Sequence, residues 1–164
     1  MSIKAITQLV ERLIDVHEQL LELATKKVEP IKKGDMKALE AIVREESKLA
    51  HKLQTTEILR SKVVRTFLLE QGEAKEAVTM SDVKRFATAE EKQQLELLQL
   101  KLVDHMQQLK TQNEMNQELI EESLRFVNLS LDLMLPHKED VSYNPRSRDD
   151  EPYENNHSLF DSKA

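Results

Sequence analysis

The chain has no cysteine and no tryptophan, only 2 glycines and 4 prolines in 164 residues, and aromatics make up 4% of it. Without cysteine there are no disulfides, thiolate metal sites or cysteine nucleophiles, and the composition fits a reducing cytosol. With so few glycines, prolines and aromatics, the turn signals and cross-strand pairs of a sheet are missing, and strands are hard to place. No stretch approaches the roughly 18 uninterrupted apolar residues of a membrane span. Met1-Ser2-Ile3-Lys4-Ala5 leads straight into an amphipathic pattern with no basic segment before an apolar run, so no signal peptide is read and the expected compartment is the cytoplasm. Positive charge is short as well: Lys and Arg number 24 against 30 Asp and Glu, a net −6 with the two signs interleaved. That balance excludes the basic surface needed to neutralise nucleic-acid phosphates.

What remains is 39% hydrophobic and 33% charged residues, the profile of a long-helix or coiled-coil protein. Leu9, Leu13, Val16, Leu20 and Leu23 alternate spacings of four and three, and Ile6, Val10, Ala24 and Val28 widen the stripe. This predicts a helix over about 2–32 with one buried face. Pro30 should end or kink it, Gly34 suits the left-handed position after a helix, and Asp35 suits the N-cap of the next. Lys33-Gly34-Asp35 is thus a tight turn that makes the first two helices antiparallel neighbours.

A second helix over about 36–70 carries Leu39, Ile42, Val43, Leu49, Leu53, Val63, Val64, Phe67 and Leu68, with Glu46, Thr56 and Arg60 interrupting its seam. Gln71-Gly72 closes it. The polar connection that follows holds a short helix at about 80–87, with Thr79 capped by Asp82 and then Thr88 by Glu91, each pair matching a capping box. The second box opens a third helix over about 89–135, free of Gly and Pro until Pro136. It should reach about 70 Å against about 50 Å for the second, and overhang its partners. The expected architecture is therefore all-α: an antiparallel, coiled-coil-like bundle of three long helices over 1–135. Residues 136–164 are too polar to bury a core and are expected to form a disordered tail.

The third helix carries an unbroken heptad seam: Leu95, Leu98, Leu102, His105, Leu109, Gln112, Asn116, Leu119, Ser123, Phe126, Ser130 and Leu133. A second stripe, Ile120, Leu124, Val127, Leu131 and Met134, appears only in its last third, with Leu129 and Leu135 adding to it. One neighbouring helix cannot cover both. Either residues 119–135 are the centre of a larger core, or part of the surface is open to a partner helix laid into a groove. The overhang favours the second, since contiguous exposed apolar surface marks interaction sites. The candidate protein-binding residues are Leu119, Ile120, Ser123, Leu124, Phe126, Val127, Leu131 and Met134. Asn116 and Gln112 are read as register-setting polar residues on the seam, and His105 as a hydrogen-bonded seam histidine.

Chemistry is harder to find. A di-iron bundle needs Glu-x-x-His pairs, but His17, His51 and His105 follow Ile14, Lys48 and Leu102 at that spacing. There is no His-Glu-x-x-His, Gly-rich phosphate loop or serine elbow. Adjacent acid pairs such as Glu45-Glu46, Glu90-Glu91 and Glu121-Glu122 diverge around a helix. No catalytic residue, metal site or cofactor is expected, and a histidine phosphotransfer role lacks the His-x-x-Lys-Gly context.

The block Asn113-x-x-Asn116-x-x-Leu119-Ile120-x-x-Ser123-Leu124-x-Phe126 resembles the C-terminal helix signature of FlgN-like flagellar export chaperones. The first hairpin is similar too, with His17-Glu18-x-Leu20-Leu21-x-Leu23-Ala24, Lys33-Gly34-Asp35-x-x-x-Leu39 and Glu45-Glu46-x-x-Leu49, so the resemblance covers about 6–135. It implies a cytoplasmic chaperone of flagellar type III export, which binds helical termini of the hook-associated (hook–filament junction) proteins. Such a chaperone prevents their premature assembly and delivers them to the export gate, whose cytoplasmic domain is then a second partner. A monomer or weak dimer is expected, with no membrane insertion. The alternative from the residues alone is a coiled-coil scaffold that self-associates through the same stripe.

Overall fold

The computed structural model describes residues 2–135, and among them there are five helices and no strand: α1 (Ile3–Lys26), α2 (Val28–Lys33), α3 (Met36–Glu70), α4 (Met80–Lys84) and α5 (Ala89–Met134). The stretch 136–164, expected to form a tail, lies outside the described residues. Three long helices rise, return and rise again. Lys27 pairs with Glu46 at 3.0 Å, so α1 and α3 are antiparallel. Glu18 meets His105 and the carbonyl of Ala24 meets Asn116, so α1 and α5 run the same way. The shortest long helix is central: α1 packs on both α3 and α5, which have little contact with each other. Its buried positions include Ile6, Val10, Leu13, Val16, Leu20 and Ala24, while Gln8, Glu11, Asp15 and Glu22 face outward. That is the one-faced helix its periodicity demands.

The first helix, expected to run unbroken to about 32 or to yield at Pro30, is interrupted at Lys27 instead. Proline acts four residues upstream, because Pro30 has no amide to give the Lys26 carbonyl and its ring crowds that oxygen. The ladder resumes when the Ile31 amide donates to the Lys27 carbonyl at 3.1 Å, with Pro30 tolerated in the first turn of α2. Gly34 then takes a left-handed conformation (φ 67°), and the Asp35 carboxylate caps α3 by accepting from the Ala38 amide at 3.1 Å.

The tightest packing is at the end of the bundle away from that turn. There Ile3, Ile6 and Leu9 of α1 bury against Val63, Val64, Phe67 and Leu68 of α3, Val83 of α4 and Leu95 of α5. Phe86 meets Phe67 edge-on at 6.3 Å. Both capping boxes form, Thr79 with Asp82 and Thr88 with Glu91. Hydrogen bonds from the Thr79 hydroxyl and amide, then from Lys75, hold the Asp82 carboxyl well below the usual carboxylate range. Arg85 adds a 2.9 Å contact to the same carboxylate.

Candidate functional site

One heptad row of α5, read from its start to its end, is Leu95, Leu102, Leu109, Asn116, Ser123 and Ser130. The first four face α1. Leu95 is buried, Leu102 and Leu109 are half-buried, and Asn116 is 3% exposed. The Asn116 side-chain amide donates to the Ala24 carbonyl at 2.6 Å, and its oxygen accepts from Gln112 at 3.0 Å. Ala24 belongs to the last turn of α1, whose carbonyls have no further turn of the same helix to bond. Asn116 therefore caps the end of α1 from the neighbouring helix and fixes how far α5 slides along it. The polar seam residue is a register device, and the sliding limit it sets decides where α5 begins to stand alone.

Beyond that point the candidate residues separate into two groups. Leu119, Ile120 and Ser123 are half-buried beside the end of the hairpin, with Ile120 near Leu20 and Val43. Leu124, Phe126, Val127, Leu131 and Met134 are exposed, by 57%, 71%, 50%, 51% and 80% respectively. Leu129, Leu133 and Leu135 are exposed with them and extend the surface past the predicted residues. From 124 to 134 the helix projects about 16 Å at 1.5 Å per residue. At 100° per residue, Leu119, Phe126 and Leu133 form one ridge, and Ile120, Leu124, Val127, Leu131 and Met134 a second. Ser123 and Ser130 lie in the valley between. Their hydroxyls donate to the Leu119 and Phe126 carbonyls at 2.9 and 2.8 Å, so the valley is shallow, small-sided and internally hydrogen-bonded.

A second surface was not visible in the seam pattern. Because α3 and α5 stand apart, an open cleft of about 500 Å³ lies between them over α1, lined by Val10, Leu13, Leu53, Leu102, Val103 and Met106. Val103 and Met106 fall off the heptad seam, and their only sequence signal is apolar character where a solvated face is expected. Arg60, also at this cleft, chelates Glu57 through two bonds of 2.8 and 2.6 Å, which raises its pKa further.

Two histidines are held by neighbouring groups. The buried His17 places Nδ1 2.7 Å from the Leu13 carbonyl, and His105 places Nδ1 2.8 Å from the Lys101 carbonyl and Nε2 3.1 Å from Glu18. Among the described residues no group of three or more His, Asp or Glu side chains is placed to hold a metal ion, and no helix is long and apolar enough to cross a membrane.

Comparison with known proteins adds the family. The protein YvyG of Bacillus subtilis (strain 168), itself described as uncharacterized, is 35% identical over 164 residues, covering 100% of both chains. No solved structure matches. The family model described as "FlgN protein" matches residues 1–150, which takes in the hairpin, the Asn116 cap and the whole of α5. The chain belongs to the FlgN family.

Proposed function

We propose that this protein is a flagellar export chaperone that holds amphipathic helical termini of hook-associated proteins on the free end of α5. By covering them it prevents premature assembly, and it then delivers them to the type III export gate in the cytoplasm. The reading assigns it no catalysis. The single observation that supports it is the bare apolar face of residues 124–134, beside the half-buried Leu119, Ile120 and Ser123. A contiguous apolar surface of this kind is what a helix laid into a groove requires. The family membership supports the flagellar setting. A terminus that is unstructured before assembly must order on binding, which costs free energy and keeps the complex reversible enough for hand-off.

The test is calorimetric titration of purified hook-associated proteins into the full chain, a truncation after Gln117, and the triple variant Leu124→Ser/Val127→Ser/Leu131→Ser. The reading expects tight binding to the full chain and none to either altered form, with the triple variant retaining the helical circular dichroism of the parent. Undiminished binding by the triple variant would place the site elsewhere, and collapse of its helicity would mean that the stripe is core.

A further inference from the structure

The stripe that forms the docking face does not begin at the free end. Ile120, Leu124, Val127, Leu131 and Met134 alternate spacings of four and three, and the same alternation runs back through Gln117, Asn113, Lys110, Met106 and Val103. Val103 and Met106 line the cleft between α3 and α5. Met106 also borders the next hollow along α5, and that hollow shares Leu109, Asn113 and Gln117 with a third, which reaches Ile120. The opposite wall is one face of α3, with Leu53, Ala50 and Val43 in turn, and the floor is one face of α1, with Leu13, His17 and Leu20. A single groove thus follows the bundle and opens onto the bare ridge, and α5 is the wall that continues. Val103 and Met106 are 58% and 51% exposed, as bare as Val127 and Leu131. Between these two apolar ends the groove turns polar, where Asn113 and Gln117 stand across from Glu46 and Ser47. Apolar side chains laid there would strip water from polar groups without replacing its hydrogen bonds.

We infer that the helix seated on the free end of α5 continues into this groove, so that the occupant is a helix of another protein with an apolar patch at each end and a polar stretch of about two turns between them. This rests on the reading of the free end as a docking face and adds a second contact, at Val103 and Met106, inside the bundle. From Val103 to Met134 the seat is about 47 Å long at 1.5 Å per residue, which asks for a partner helix of about nine turns. The chain's own residues 136–164 cannot supply it, because Pro136, Pro145 and Pro152 divide them and the longest piece is the 12 residues after Pro152. A second α5 fits less well. Laid antiparallel so that its Val127 and Leu124 match Val103 and Met106, it would set Lys110 against Ile120.

Methionine methyl NMR of the unmodified full chain tests this, because Met106 lies in the groove, Met134 ends the bare ridge, and Met115 and Met36 are exposed elsewhere. On titration of a purified hook-associated protein, the Met106 and Met134 signals should move together with one midpoint while Met115 and Met36 stay. Val103→Ser/Met106→Ser should weaken binding about tenfold. Leu97→Ser/Leu100→Ser, at least as bare but outside the groove, should leave it unchanged. Both pairs are exposed, so neither change should move the melting temperature. Movement of Met134 without Met106 would end the bound helix on the free end, overturning the inference and leaving the proposed function intact. Movement of Met106 alone, or of neither, would overturn both. Equal weakening by the two double variants would reduce the groove contact to general apolarity and overturn the inference. Movement of Met106 and Met134 on concentrating the chain by itself would make a second copy the occupant and overturn it too.

Discussion

The two halves of α5 are written in one pattern and do different things. Over 95–116 the heptad row meets α1, with Leu95 buried and Leu102 and Leu109 half-buried, and Asn116 ends the pairing on a backbone carbonyl. Over 119–134 the row turns to serine between two apolar stripes, and nothing among the described residues covers their outer part. A hydrophobic stripe is therefore evidence of contact without saying with whom, and exposure is decided by where the neighbouring helices stop. Here that point is set by Pro30, Gly34 and Asn116, none of which is on the exposed face.

The contrast can be broken by substitution, and the largest effect is expected in the covered half. Leu95→Ala should cost about 3 kcal/mol in urea unfolding, because a fully packed leucine leaves a cavity. Leu131→Ala should stay within about 0.5 kcal/mol of the parent, as for an exposed residue with no partner to lose. Equal costs would erase the distinction between the halves. Asn116→Ala should cost about 2 kcal/mol, because it strands the Ala24 carbonyl and the Gln112 amide in a buried place. The same measurement reads that loss, and Asn116→Asp, which cannot donate to the carbonyl, should not recover it. Thr88→Ala should cost about 1 kcal/mol through loss of the cap that starts α5.

Much of this architecture was legible because it is local. Gly34, Asp35 and the two capping boxes each act within three or four residues, and each forms as its sequence indicates. The place of the first break was less so, because Pro30 acts through the Lys26 carbonyl and moves the interruption upstream. The partner of Asn116 is 92 positions away in the chain, so its polar character could be read but not its role as a cap. The cleft over Val103 and Met106 follows from α1 being central, which periodicity cannot reveal. For the candidate site, the stripe of Leu124, Val127, Leu131 and Met134 was readable from spacing. That Leu119, Ile120 and Ser123 are half covered depends on the length of α2.

The smallest expected effect concerns the connection that launches α5. The Asp82 carboxyl is lowered below its unfolded value of about 3.9 by Thr79 and Lys75, so its contribution is present above that value and is lost as pH falls through the lower folded one. Urea midpoints of the parent and Asp82→Asn should differ by a constant amount from about pH 7 to 5 and converge in stronger acid. A gap that instead closes near neutrality would contradict the assigned cap.

Residue-resolved amide hydrogen exchange of the free full-length chain separates an uncovered end of α5 from a packed one. An unpaired helical segment in water is marginal, whereas a packed one opens only with the bundle. Amides of 124–134 should exchange orders of magnitude faster than those of 95–116, and they should gain protection when a partner helix is added. Equal protection of the two stretches in the free chain would contradict it, because the end of α5 would then already be covered.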